Sequence, residues 1–132
     1  MKSYPKTLKH LRSVSISQNE NNYWKLDDVR GNFIFESGES GESIAITQFT
    51  FVNITKRKCL LKEFQFVFDV GDSTLKSQVF RLDKEEKERK IFNFPFSVFT
   101  KKLKMKILSN HGNITCTCVP SIHFYSNMFV NQ

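Results

Sequence analysis

The chain has 132 residues, 39% of them hydrophobic and 25% charged, with 14 Phe against one Trp and three Met. That is room for one domain of ordinary globular usage, which excludes a disordered tail, a fibrous repeat and a second unit with its own interior. The 20 Lys and Arg outnumber the 13 Asp and Glu, for a net charge of +7, a balance that suits anionic partners and plain solubility equally well.

Residues 1 to 22 are polar and basic, end in Ser17-Gln18-Asn19-Glu20-Asn21-Asn22, and show no sustained period, so they read as an arm. From Trp24 onward apolar residues recur at every second position, at Phe33 and Phe35 and again at Ile44 and Ile46, with the Ser-Gly-Glu repeats of residues 37 to 43 as the turn between them. A period of two places those side chains on one face of a strand. The apolar phase slips at Thr47-Gln48 and resumes at Phe49 and Phe51, as a bulge or a strand end would make it do.

Phe64, Phe66, Phe68 and Val70 form the clearest strand, closed by Gly71-Asp72. Shorter candidates lie at 78–82 and 91–96, separated by Asp83-Lys84-Glu85-Glu86-Lys87-Glu88-Arg89-Lys90. With no apolar face to bury, that charged run reads as a solvated loop rather than a turn of helix. Leu103, Met105 and Ile107 then alternate with Lys102, Lys104 and Lys106, and Ile122 and Phe124 form a last short run. Seven or eight short strands without a long amphipathic helix predict an antiparallel β-sandwich or jelly roll.

Nucleophile elbows, metalloprotease helices, phosphate loops and dinucleotide fingerprints are missing from the sequence. The expectation is a binding protein and not an enzyme, with no cofactor. Cys116 and Cys118 are two apart, and with His111 or His123 they could approach a zinc set. A knuckle wants two residues between its thiols, so two small buried hydrophobes are the better reading and no metal is expected. Three cysteines allow at most one disulfide. The basic clusters are Lys56-Arg57-Lys58 and Lys101-Lys102 with Lys104 and Lys106. The apolar residues of the Lys-rich strand point away from its ammonium groups and cannot stack on bases, so nucleic acid is not the expected partner. Asn53-Ile54-Thr55 and Asn113-Ile114-Thr115 fit the N-glycosylation acceptor, a match that carries weight only in a lumenal compartment. No apolar stretch approaches the ~20 residues of a membrane span, and no apolar signal core follows Met1-Lys2-Ser3-Tyr4-Pro5, so membrane association is expected only through parts outside this chain.

Leu103-Lys104-Met105-Lys106-Ile107-Leu108-Ser109-Asn110-His111-Gly112-Asn113, then Cys118, then Ile122-His123-Phe124-Tyr125, resembles the closing segment of SUN domains. Tyr23-Trp24-Lys25-Leu26 with Gly31 and Phe33 looks like that family's opening, and Ile44 to Phe51 followed by Leu61-Lys62-Glu63-Phe64 is similar to its middle. The resemblance implies a galactose-binding-like jelly-roll β-sandwich of about eight strands over residues 23–126, with 127–132 as a tail. It implies Trp24, Gly31, Phe64 and Cys118 as structural motif residues, and Asn110, His111, Gly112, Asn113 and Tyr125 as candidate binding residues. It further implies a non-catalytic docking module at the nuclear envelope or endoplasmic reticulum that holds a protein partner. In the nuclear-envelope branch that partner is the C-terminal peptide of KASH proteins, captured by strand addition and a carboxylate pocket. The family's Cys before the Trp is Tyr23 here, so Cys118 is expected to lack its usual disulfide partner, and the tyrosines flanking the late Cys fall at Cys116 and Pro120. Asn110-His111-x-Asn113 and the terminal Ile122-His123-Phe124-Tyr125 also resemble the Doc-homology subunit of the anaphase-promoting complex, which would imply a nuclear or cytoplasmic role in substrate recognition. A carbohydrate-binding sandwich is the third reading.

Overall fold

A computed structural model describes residues 2–7, 18–20, 23–36 and 43–130. Residues 37–42 of the Ser-Gly-Glu turn therefore lie outside the described residues. Within them the chain forms eleven strands and no helix: β1 Lys2–Thr7, β2 Gln18–Glu20, β3 Tyr23–Leu26, β4 Gly31–Glu36, β5 Ile44–Ile54, β6 Leu61–Asp69, β7 Thr74–Lys76, β8 Phe80–Arg81, β9 Lys87–Thr100, β10 Lys102–Asn110 and β11 Thr117–Val130. They divide into a six-stranded sheet in the order β2-β3-β11-β5-β9, with β1 also on β11, and a five-stranded sheet in the order β4-β10-β6-β7, with β8 also on β6. Every pairing between named strands is antiparallel.

The alternation in the sequence turns directly into this sandwich. Phe33 and Phe35 of β4, Phe64, Phe66 and Phe68 of β6, and Leu103, Met105 and Ile107 of β10 point inward from one sheet; Phe49 and Phe51 of β5 and Ile122 and Phe124 of β11 meet them from the other. On β10 the intervening Lys102 and Lys104 are exposed, as the period of two requires. Phe49 sits at the middle of the rings, stacked on Phe92 at 4.9 Å and edge-on to Phe66 at 4.8 Å and Phe80 at 5.0 Å. These offset and edge-to-face arrangements suit the ring quadrupole.

The phase slip read at Thr47-Gln48 is a register break between Ile46 and Gln48. On either side Ile46 pairs Val98 and Gln48 pairs Asn93, so the segment Phe94 to Ser97 of β9 bulges opposite the single residue Thr47. The bulge brings Phe94 into the core and lets Phe96 stack on it at 5.6 Å.

Several boundaries differ from the sequence reading. The arm expected over 1–22 includes two strands: Lys2–Thr7 pairs with Tyr125 to Val130 of β11, and Gln18–Glu20 pairs with β3. The last strand runs on to Val130, into the expected tail. The charged run that read as a loop joins β9 from Lys87 onward, because Val52 and Ile54 of β5 supply a ladder for Arg89 and Lys87. Sequence periodicity cannot see that partner.

Candidate binding site

Four connections meet at the end of the sandwich where β11 begins. Tyr23 of β3 pairs Pro120 and Leu26 pairs Thr117, which sets the start of β11 beside the β3–β4 turn, and the Thr117 hydroxyl donates to the Val29 carbonyl at 3.0 Å. Because β5 ends at Ile54, the β5–β6 connection folds back along the open side of β11. Leu60 bridges Cys118, and the Cys118 N–H donates to the Cys59 carbonyl at 2.6 Å. A disulfide joins Cys59 to Cys118 at that point, with the Cα atoms 5.1 Å apart and a sequence separation of 59.

This bridge corrects the reading of Cys116 and Cys118 as two small buried hydrophobes, since Cys118 is half of a disulfide. The family-like position before Trp24 is Tyr23, as read, but the partner comes from the β5–β6 connection instead. Cys116 is free and buried one residue before the strand, and the sulfur atoms of Cys59, Cys116 and Cys118 lie within 4.8 Å of one another. The pairing was hidden because two of the cysteines sit together in sequence, and only the fold brings the distant third to them.

Tyr23 takes over the anchoring of the same connection. Its ring is buried, its hydroxyl lies 2.9 Å from the Thr55 hydroxyl and accepts the Thr55 backbone N–H, and the Arg57 guanidinium covers the ring 4.4 Å from its centroid. Pattern reading missed this role. The signal available was the aromatic at 23 beside Trp24, with a Thr and an Arg in the loop that returns to it.

The candidate binding residues divide into two places. Asn110 closes the β10–β11 loop: its Nδ2 donates to the Cys116 carbonyl at 2.9 Å and the Thr117 hydroxyl at 3.0 Å, and its Oδ1 accepts the N–H groups of Gly112 and Asn113, both at 2.9 Å. Gly112 has φ +128°, a conformation that side chains with a Cβ rarely adopt. The Asn113 Oδ1 accepts from the Thr115 N–H and hydroxyl, both at 2.8 Å, and from the Cys116 N–H at 3.1 Å. His111 donates its backbone N–H to the Leu60 carbonyl at 2.9 Å, and its Nε2 lies 2.7 Å from the Leu82 carbonyl, so it ties the end of β10 to the residues that precede β6 and follow β8. The polar groups of this motif are thus engaged with the loop itself and its neighbours. Tyr125 stands apart, half-buried on β11 opposite Gln48, eight residues beyond Thr117. At about 3.3 Å per strand residue it lies roughly 26 Å from the loop, so one small ligand cannot touch both.

The structural motif residues behave differently from one another. Phe64 is fully buried among rings. Gly31 lies where β4 passes β3, and a Cβ there would meet Leu26 Cδ2 at 2.5 Å. Trp24 is half-buried, packed on Phe33 at 5.8 Å and Phe35 at 5.6 Å.

Away from the loops, β9 forms an outer edge of the six-stranded sheet, paired among the described residues on one side, by β5. It is 14 residues long, and along it Ile91 is 51% exposed and Phe99 is 70% exposed. An unpaired edge offers a row of N–H and C=O groups to an extended segment.

A two-sheet jelly roll whose loop end is tied by a disulfide, and which among the described residues leaves a long strand edge open, defines a β-sandwich binding module. The chain belongs to the SUN domain family: it matches the Sad1/UNC-like C-terminal family over residues 19–128. No curated protein matches it. Among solved structures it is similar to galactose-binding-like domains. A family 32 carbohydrate-binding module of NanJ from Clostridium perfringens, solved with galactose, is 8% identical, with 95% of this chain and 93% of that one covered and a TM-score of 0.64. The F5/8 type C domain of a Bacteroides fragilis protein is 12% identical over 87% and 80%, with a TM-score of 0.65. The family 32 module of Streptococcus pneumoniae EndoD is 7% identical over 94% and 95%, with a TM-score of 0.62. At these identities the likeness is one of fold.

Proposed function

We propose that this SUN-type module works in the lumen of the endoplasmic reticulum or nuclear envelope, where it holds an extended segment of a protein partner. The observation that carries the reading is the Cys59–Cys118 bridge within a domain of this family. Structural disulfides persist in oxidising compartments and are rare in the cytosol and nucleus, which weighs against the Doc-type reading. The free edge of β9 supplies the docking mode, with Ile91 and Phe99 as apolar contacts on the exposed face. Cys116 and Pro120, which stand where the KASH-binding branch has tyrosines, are both buried and carry no hydroxyl, so a carboxylate pocket of that kind is not part of the proposal.

The test has two parts. Protease protection of the native chain in cells whose plasma membrane alone has been permeabilised, lost when internal membranes are ruptured as well, reads the compartment; digestion with the internal membranes still sealed would sink the lumenal reading. A photo-crosslinking residue at position 99 should then trap one partner protein, while the same residue at Ile114, exposed in the β10–β11 loop, should not. Equal trapping at both positions counts against the β9 edge.

A further inference from the structure

The two acceptor sequences Asn53-Ile54-Thr55 and Asn113-Ile114-Thr115 are equivalent as text, and the structure separates them. Asn53 is the next-to-last residue of β5. Its side chain is exposed, the side-chain amide makes no hydrogen bond with any described residue, and the backbone holds φ +54°, in the left-handed region that Asn tolerates better than most residues. A bulky substituent on its Nδ2 would extend into solvent without displacing a packed group. Asn113 is half-buried, and its Oδ1 gathers three donors from its own loop.

The order of folding points the same way. Thr55 of the first acceptor is held by Tyr23, and Tyr23 is placed by the pairing of β3 with Pro120 on β11. That acceptor therefore stays open until the last strand has been made and docked. Thr115 of the second is held by Asn113 two residues away, inside a loop closed by Asn110 through contacts no more than seven residues long. Local contacts of this kind form early, whereas pairings distant in sequence form late. The Cys59–Cys118 bridge adds the compartment in which such a modification takes place.

We infer that Asn53 is an N-glycan acceptor and that Asn113 is occupied less or not at all. The donor is an oligosaccharide on a lipid diphosphate. The Asn53 Nδ2 attacks the anomeric carbon, the new C–N bond replaces the C–O bond to the diphosphate, the lipid diphosphate leaves, and the amide nitrogen gives up one proton. The inference rests on the lumenal reading above.

The experiment routes the full chain into the reticulum lumen of a eukaryotic cell with a cleavable leader and maps its peptides after enzymatic glycan release, which converts a formerly modified Asn to Asp. The expected result is conversion at residue 53, loss of the gel shift in Asn53→Asp and retention of the shift in Asn113→Gln. Asn53→Asp keeps a residue that accepts positive φ, so it separates loss of the acceptor from loss of the fold. An unmodified Asn53 in protein whose Cys59–Cys118 bridge has formed would overturn the assignment, as would occupancy at Asn113 equal to or above that at Asn53. The leader makes this readout independent of the native compartment: protease sensitivity of the native chain in cells with the plasma membrane permeabilised and the internal membranes sealed refutes the lumenal reading, and the routed chain refutes or supports the acceptor.

Discussion

The hydroxyl of Tyr23 and the backbone of Thr55 meet across 32 residues of sequence, with the Thr55 N–H donating to the phenolic oxygen and the Thr55 hydroxyl 2.9 Å away. This contact, the Arg57 guanidinium on the ring and the Cys59–Cys118 bridge hold one short connection at both of its ends. Tyr23→Phe keeps the buried ring but leaves the Thr55 N–H without its acceptor. The expected loss is about 1–2 kcal/mol in urea unfolding. A loss within error of zero would show that water replaces the hydroxyl at no cost.

The disulfide closes a span of 59 residues, and the loop-entropy relation assigns such a link about 4 kcal/mol. In a Cys116→Ser background, which removes thiol exchange, reduction should lower the melting temperature by on the order of 15 °C for a domain of this size. Calorimetry with and without a thiol reductant reads it directly, and a shift of only a degree or two would mean that the loop hydrogen bonds alone hold the end together.

With three sulfur atoms inside 4.8 Å, the free thiol is a second partner for Cys59. In Cys118→Ser, oxidative refolding should yield a Cys59–Cys116 bridge, visible as one linked peptide in a non-reducing digest. Two freely alkylated thiols would show that the buried Cys116 cannot turn toward Cys59.

A Cβ at Gly112 would meet nothing within 4 Å, so the cost of Gly112→Ala is that of forcing an L side chain to φ +128°. About 1–3 kcal/mol is expected, with no change in the apolar area buried and hence an unchanged denaturant slope. Unaltered melting would refute the need for glycine in this turn.

The rings differ in weight according to where the two sheets close on them. Phe49 is fully buried and central, so Phe49→Ala should cost on the order of 4 kcal/mol, whereas the half-buried Trp24, read from the sequence as a structural motif residue, should cost less when cut to Ala. Chemical unfolding of the two variants side by side decides it; the reverse order would mean that Trp24 anchors β3 against Phe33 and Phe35 more strongly than its exposure suggests.

The all-β class, the inward faces of β4, β6 and β10 and the slip near Thr47 were legible in the residues, because a strand's side-chain period is local. The charged start of β9 was not legible, since Lys87 to Lys90 form a strand only where β5 offers a ladder. Nor could spacing reveal that Asn110 and Asn113 spend their amides on their own loop, or that Tyr125 stands far from both.

What the sequence by itself determined is the alternation that sends the phenylalanines to one side, and with it a two-sheet sandwich; the SUN likeness lies in its motifs and not in that alternation. The tertiary structure alone decided which cysteine meets Cys118, which acceptor asparagine faces solvent and which strand keeps an open edge. The reason is one of range: side-chain direction repeats every second residue, whereas a disulfide, a half-buried amide and a sheet edge depend on which distant segments the closing of the last strand brings together.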